Sequence, residues 1–183
     1  MTTKAKATIE DLYRVPENQK AEIVNGELIL MSPTGARPGR AASEIYISLR
    51  EYERRKRIGY AIPDNVGFIV DLPNRDSFSP DAAFYKGQSP DMKFLQGPPI
   101  FAVEGRSEND YGAKAEQEMA EKRNDYFAAG AMIVWDVDLQ SADVIKSYNA
   151  DDPSNPDIYR RGDKAKAEPA LPGWEFPVET LFE

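Results

Sequence analysis

The chain reads as a mixed α/β (α+β) fold: a mixed central β-sheet flanked by helices, with an N-terminal β-hairpin. Three observations predict it. Two long stretches carry helical spacing and run into a glycine, Gly59 or Gly130. Short apolar runs bounded by Pro, Asn, Asp and Gly lie between and beyond them, as strands do. Near the N-terminus, Asn25-Gly26 marks the tip of a hairpin over residues 21–31, because a type I′ turn needs positive φ at both central residues. Helices and strands interleave along the chain, which favours a layered domain with a mixed sheet.

Each element has its own warrant. Thr8 followed by Glu10 and Asp11 looks like a helix N-cap with acids in the first turn, and that helix should stop before Pro16. Residues 32–39, rich in Pro and Gly, read as a loop. Residues 41–58 read as a helix, with Ile45, Leu49 and Tyr52 on one face. Strands are expected at 60–62, 67–72, 82–85 and 100–104. The last is apolar on both faces and belongs in the middle of the sheet. A second helix spans about 113–129, strands follow at 132–137 and 144–148, and residues 151–157 read as a loop. The tail holds a weaker strand near Ile158 and irregular structure around Pro172, Gly173 and Pro177.

At 183 residues the chain suits one domain over residues 1–183, able to bury about 70% of its unfolded surface. Hydrophobic residues at 41% and charged residues at 30% are globular values, and no apolar run approaches a membrane span. Residues 1–6 lack the apolar core of a signal peptide, so a cytoplasmic location is expected. The sequence has no cysteine and no histidine. That excludes thiolate nucleophiles, Ser-His relays and Cys- or His-ligated metals. Catalysis would rest on carboxylates, lysine, arginine or hydroxyls, and a metal would be a hard one such as magnesium or manganese. The net charge of −8 opposes long-range attraction to nucleic acid, yet residues 37–57 hold seven Arg or Lys against three Glu.

Glu104 closes an apolar strand, where an ionised carboxylate needs a partner. Asp81 stands at the entrance of the preceding strand, and neighbouring strands would bring the two carboxylates to one sheet edge. Paired carboxylates repel unless a cation reconciles them, which points to a divalent metal. On the second helix Ala115, Met119, Lys122, Tyr126 and Ala129 form one stripe facing the sheet. A lysine within that stripe needs an anion, and the two strand carboxylates are candidates. Blander roles remain for each: a turn or capping aspartate at Asp81, a strand-end ion pair between Glu104 and Arg106, a helix-surface pair between Lys122 and Glu118. Tyr111 lies in a loop that could overhang the site, and Trp135 reads as core.

Five ordered blocks carry a family resemblance: SPDAAF (79–84), GPPIFAVEGRS (97–107), KRNDYFAAGA (122–131), VWDVD (134–138) and the hairpin EIVNGEL (22–28). Over roughly residues 9–138 they resemble the Uma-two family, restriction-endonuclease-like proteins of the PD-(D/E)XK nuclease superfamily. The resemblance implies a mixed sheet flanked by helices, with Asp81 and Glu104 as metal ligands and Gly105 offering its backbone carbonyl. It makes Glu22 a further acidic residue of the site, where the sequence alone allows a solvent-facing hairpin charge. The chain departs from the superfamily pattern at Arg106, which stands where the motif has lysine. Arginine stays protonated and cannot be a general base. In this family the lysine is supplied from the following helix, where Lys122 fits.

The chemistry implied is Mg²⁺- or Mn²⁺-assisted hydrolysis of phosphodiester bonds, with DNA as the expected partner and a homodimer as the expected assembly. Lys122 would stabilise the transition state and Arg106 would hold a neighbouring phosphate. Arg50, Arg54, Arg55, Lys56 and Arg57 could track a nucleic-acid backbone or serve as a solvated helix face. The alternatives are a catalytically silent nuclease-fold module for binding or oligomerisation, favoured by the net charge and Arg106, and a carboxylate-based hydrolase of another substrate class.

Overall fold

The Asn25-Gly26 turn forms with both residues at positive φ, 52° and 72°, and joins β1 (Lys20–Val24) to β2 (Glu27–Met31) in the register Val24↔Glu27. The computed structural model describes residues 6–16 and 19–183, so residues 1–5 of the polar N-terminus lie outside the described residues. Before the hairpin, α1 (Ile9–Tyr13) starts at Thr8 with the expected capping box, Thr8 and Asp11 satisfying one another's backbone N–H groups. The hairpin is the edge of a five-stranded sheet, ordered β2-β1-β5-β4-β7, with β4 at Phe68–Leu72, β5 at Arg75–Phe78 and β7 at Leu95–Gln96. Strands β5 and β7 are absent from the sequence reading. Arg75-Asp76-Ser77 has neither apolar alternation nor β propensity, and two-residue β7 is below any pattern's resolution.

The second sheet has six strands in the order β11-β10-β9-β8-β6-β3. Their ranges are Asp152–Tyr159, Ile145–Asn149, Ile133–Val137, Phe101–Gly105, Ala82–Tyr85 and Tyr60–Ile62. It is mixed: β8 and β9 run parallel, joined by α3 (Ala113–Ala129), and the other pairs are antiparallel. The apolar β8 is interior, as its two-faced hydrophobicity requires. Helix α2 (Ala36–Lys56) covers one face, where Ile45, Leu49 and Tyr52 meet Phe84, Val103 and Trp135. Helix α3 lies over the other, with Tyr126 among Ala83, Ala102 and Val134.

Three local expectations change. Helix α2 begins at Ala36, inside the expected loop, since Pro38 falls in its first turn, where a missing N–H has no intrahelical partner to lose. The helix stops at Arg57 in the left-handed region, φ 53°, so Gly59 is not its cap. A Cβ at Gly59 would stand 2.4 Å from the Tyr85 carbonyl oxygen, so glycine is needed for the chain to pass β6. The expected loop over residues 151–157 is strand from Asp152 onward: it belongs to β11, an edge strand that tolerates Pro153 and Pro156 because its outer N–H groups need no partner. The tail also contributes to the core. Leu171, Trp174, Phe176 and Val178 are fully or almost fully buried on the α2 side, where Trp174 packs 5.2 Å from Trp135 between ring centroids. Among the described residues no helix is long and apolar enough to cross a membrane.

Candidate active site

The antiparallel register Ala82↔Val103 puts Asp81 opposite Glu104, and the Asp81 N–H donates to the Val103 carbonyl at 3.0 Å. Side chains alternate across a strand, so Asp81 shares a face with Ala83, and Glu104 shares it with Ala102. That is the α3 face. Both carboxylates line one pocket of about 560 Å³, together with Lys122 and Tyr126 from α3. The inward stripe of α3 is as the helical spacing requires: Ala115, Met119, Lys122 and Tyr126 all line that pocket.

Within it the charges interlock. Lys122 Nζ donates to Glu104 Oε2 at 2.9 Å and stands 2.9 Å from Glu22 Oε1. The Tyr126 hydroxyl donates to Glu104 Oε1 at 2.6 Å. Glu22 is buried rather than facing solvent; it also accepts from Arg75 Nη1 at 2.6 Å and from the Ser79 N–H at 2.8 Å. Arg75 is braced in turn by Asp125 at 2.8 Å. Asp81 accepts from Lys20 Nζ at 2.6 Å on Oδ1 and from the Gly105 N–H at 2.7 Å on Oδ2. Lys20 also bonds Asp64 at 2.7 Å.

The sequence reading missed Lys20 and Arg75. Lys20 lies two residues before Glu22 in β1, hence on the same strand face, and that spacing is a signal that could have found it. Arg75 sits in the strand that had no pattern.

Protonation follows from these partners. Burial acts to raise the Glu22 pKa, but Lys122, Arg75 and the Ser79 N–H outweigh it and hold Glu22 below the usual carboxylate range. Burial raises Glu104; Lys122 opposes, Asp81 and Glu22 add to the rise, and the net shift is upward. Burial works against the charge on Lys122, yet Glu104 and Glu22 keep its pKa above the ordinary lysine value. Lys20 behaves likewise under Asp81, Glu104 and Asp64. Both lysines are therefore ammonium donors and not bases.

Arg106 does not join this cluster. Its guanidinium is buried and grips Asp136 at 2.8 and 2.7 Å, with Glu116 on its other edge. That corrects the expectation of a phosphate-holding Arg106, since its donors face these two carboxylates and not the pocket. The blander pairs, Glu104 with Arg106 and Lys122 with Glu118, do not form either. The Tyr111 hydroxyl donates to Asp138 at 2.8 Å, and Trp135 is core, its indole N–H bonded to Ser147.

The donor set suits a hard cation. The linked network joins five carboxylates, from Glu22, Asp64, Asp81, Glu104 and Asp125, to three cations, Lys20, Arg75 and Lys122. The network carries a surplus of two negative charges, and the upward shift of Glu104 marks where the surplus presses. All the donors are oxygens. Each Asp81 oxygen bonded to a protein donor keeps a further lone pair. Among the described residues no group of three or more acidic side chains stands ready to hold a metal.

A mixed sheet between two helices, with paired carboxylates and a helix-borne lysine at one sheet edge, defines a restriction-endonuclease-like, nuclease-type fold. The model of the family described as "Uma2: Putative restriction endonuclease" matches residues 9–179, and the chain belongs to that family. Among solved structures the chain is similar to an Anabaena variabilis protein described as a "putative nuclease belonging to DUF820", with TM-score 0.74 and 13% identity over 96% of this chain and 97% of that one. A likeness at that identity speaks for the fold alone. No curated protein matches.

Proposed function

We propose that the protein is a metal-dependent nuclease hydrolysing phosphodiester bonds, with DNA as substrate. The observation that carries this reading is the convergence of Asp81, Glu104 and Lys122 from two strands and a helix on one pocket. Asp81 and Glu104, with the Gly105 carbonyl, would hold Mg²⁺ or Mn²⁺. Such an ion, when bound, lowers the pKa of a coordinated water and neutralises charge on the scissile phosphate. Lys122, kept protonated by two carboxylates, donates to the oxygen on which charge develops. Glu22 and Tyr126 fix its setting: Glu22 holds the ammonium and Tyr126 orients Glu104. Arg106 serves as a structural brace between β8, β9 and α3.

The test is a titration with Mn²⁺ or Mg²⁺ followed by melting and by cleavage of plasmid, single-stranded DNA and RNA. Wild type should melt higher in metal, by preferential binding to the native state, and cleave DNA. Asp81→Ala should abolish the metal-induced rise and reduce cleavage at least about 100-fold, the size of a lost transition-state electrostatic contact. One observation favours the second reading, a silent binding module: Lys20 already places a cation on Asp81. Wild type with no metal response and no cleavage of any substrate would establish that reading instead. Assembly as a homodimer belongs to the proposal, with exposed Ile29 and Leu30 on edge strand β2 as the contact. Sedimentation as a monomer at working concentration would remove it.

A further inference from the structure

A polyanionic substrate entering this pocket meets cations that are already engaged. Lys20 is held by Asp64 and Asp81, and Lys122 by Glu22 and Glu104. Beside the pocket, Arg75 and Arg106 are each locked between two carboxylates. Each lysine has two of its three N–H donors on carboxylates and can offer a phosphate only the third, as the proposed role of Lys122 requires; freeing more would break a partly or fully buried ion pair and leave a carboxylate unpaired.

Arg123 differs from all four. It follows Lys122 on α3 and lines the same pocket. Among the described residues it forms no ion pair, and its Nε is buried without a hydrogen-bond partner. Glu116 feels its charge, but that carboxylate is chelated by Arg106. What positions Arg123 is an aromatic ring: its guanidinium carbon stands 3.6 Å from the centroid of Tyr148. Tyr148 reaches it from β10, where it pairs with Val134, itself a lining residue on the α3 face of the sheet. A guanidinium stacked by one face keeps its donors in the plane of the fork, the geometry that receives two phosphate oxygens at once.

We infer that Arg123, held flat by Tyr148, is the substrate-positioning arginine of this pocket, and that it takes the non-bridging oxygens of a phosphate in the nucleic-acid backbone. It fills the role that the sequence pattern assigned to Arg106. The inference rests on the nuclease reading above and deepens it by naming the residue that anchors the substrate. Arg123 acts by binding, and no step of bond cleavage passes through it.

The experiment measures binding apart from cleavage. Fluorescence anisotropy of a labelled DNA oligonucleotide is followed in Ca²⁺ with no other divalent ion, across a series of salt concentrations. Arg123→Gln should bind at least about 10-fold more weakly, and its slope of log affinity against log salt should fall by about one phosphate contact. Arg123→Lys should lie between Gln and wild type, because it keeps the charge and loses the planar fork. Tyr148→Phe should bind as wild type does, and Tyr148→Ala should move towards Arg123→Gln. All four variants should keep the wild-type rise in melting temperature with Mn²⁺, which a merely structural role for Arg123 would disturb. If wild type binds the oligonucleotide and Arg123→Gln matches it within twofold at an unchanged salt slope, this inference fails and the nuclease reading stands. If wild type binds no nucleic acid, both fail together. Loss of the Mn²⁺ response in Arg123→Gln would overturn the positioning role in favour of a structural one.

Discussion

Glu22 and Glu104 share one cation, Lys122, at 2.9 Å each, and differ in what else surrounds them. On the Glu22 side, Arg75 and a backbone N–H complete the carboxylate's shell, and Asp125 balances Arg75. On the Glu104 side, the added neighbours are a neutral tyrosine hydroxyl, a second carboxylate, Asp81, and Lys20, whose pull on Glu104 is weaker than the push of Asp81. The fold lowers the first acid's pKa and raises the second's. One half of the cluster is thus a satisfied structural ion lattice, and the other is held short of positive charge next to open space. Strained electrostatics of that kind gather where chemistry is done, whereas the compensated half only has to hold Lys122 still.

The sharpest way to break the contrast is to remove the shared cation. Lys122→Met should cost about 3–5 kcal/mol in denaturant unfolding, because it strips a partner from two buried carboxylates, and should abolish cleavage. Next in size is Glu22→Gln, expected to cost about 3 kcal/mol at neutral pH by leaving Arg75 and Lys122 short of an anion. The folded Glu22 pKa lies below its ordinary 4.5, so its stabilisation is present above pH 4.5 and is lost as pH falls through the folded value. The gap between wild type and Glu22→Gln should therefore close in acid; a gap independent of pH would refute the lattice.

The smallest effect has the opposite sign. The folded Glu104 pKa lies above 4.5, so the contribution of Glu104 to stability should fall as pH rises from 4.5 through that value. Glu104→Gln should then gain stability at neutral pH, on the order of 1 kcal/mol, while losing activity and the response to Mn²⁺. A clear loss of stability at neutral pH would show that both halves of the cluster are structural.

Much of this arrangement is written in local pattern. The capping box at Thr8, the Asn25-Gly26 turn, the span of α3 and the inward stripe through Lys122 and Tyr126 follow from turn chemistry and helical period, which act over a few residues. So does the suspicion that Glu104, at the end of an apolar strand, needs a partner. The cations beyond Lys122 were not legible in that way. Lys20, Arg75 and Arg123 became functional candidates through the pairing of β1 with β5, the crossing from β5 to β6 at Ser79-Pro80 and the stacking of α3 over Tyr148. Strand β5 lacked apolar alternation because its polar residues are buried by ion pairing, a long-range compensation that no period encodes.

Residue types and spacing alone therefore established an acidic, lysine-bearing site without histidine or cysteine on a mixed α and β frame, since those properties depend on composition and on contacts along the chain. Which arginine is buried between carboxylates and which stays without an ion pair beside the pocket was decided only in three dimensions. Arg106 and Arg123 are equally charged in the sequence, and only the groups that folding places within 3 or 4 Å of each guanidinium separate them.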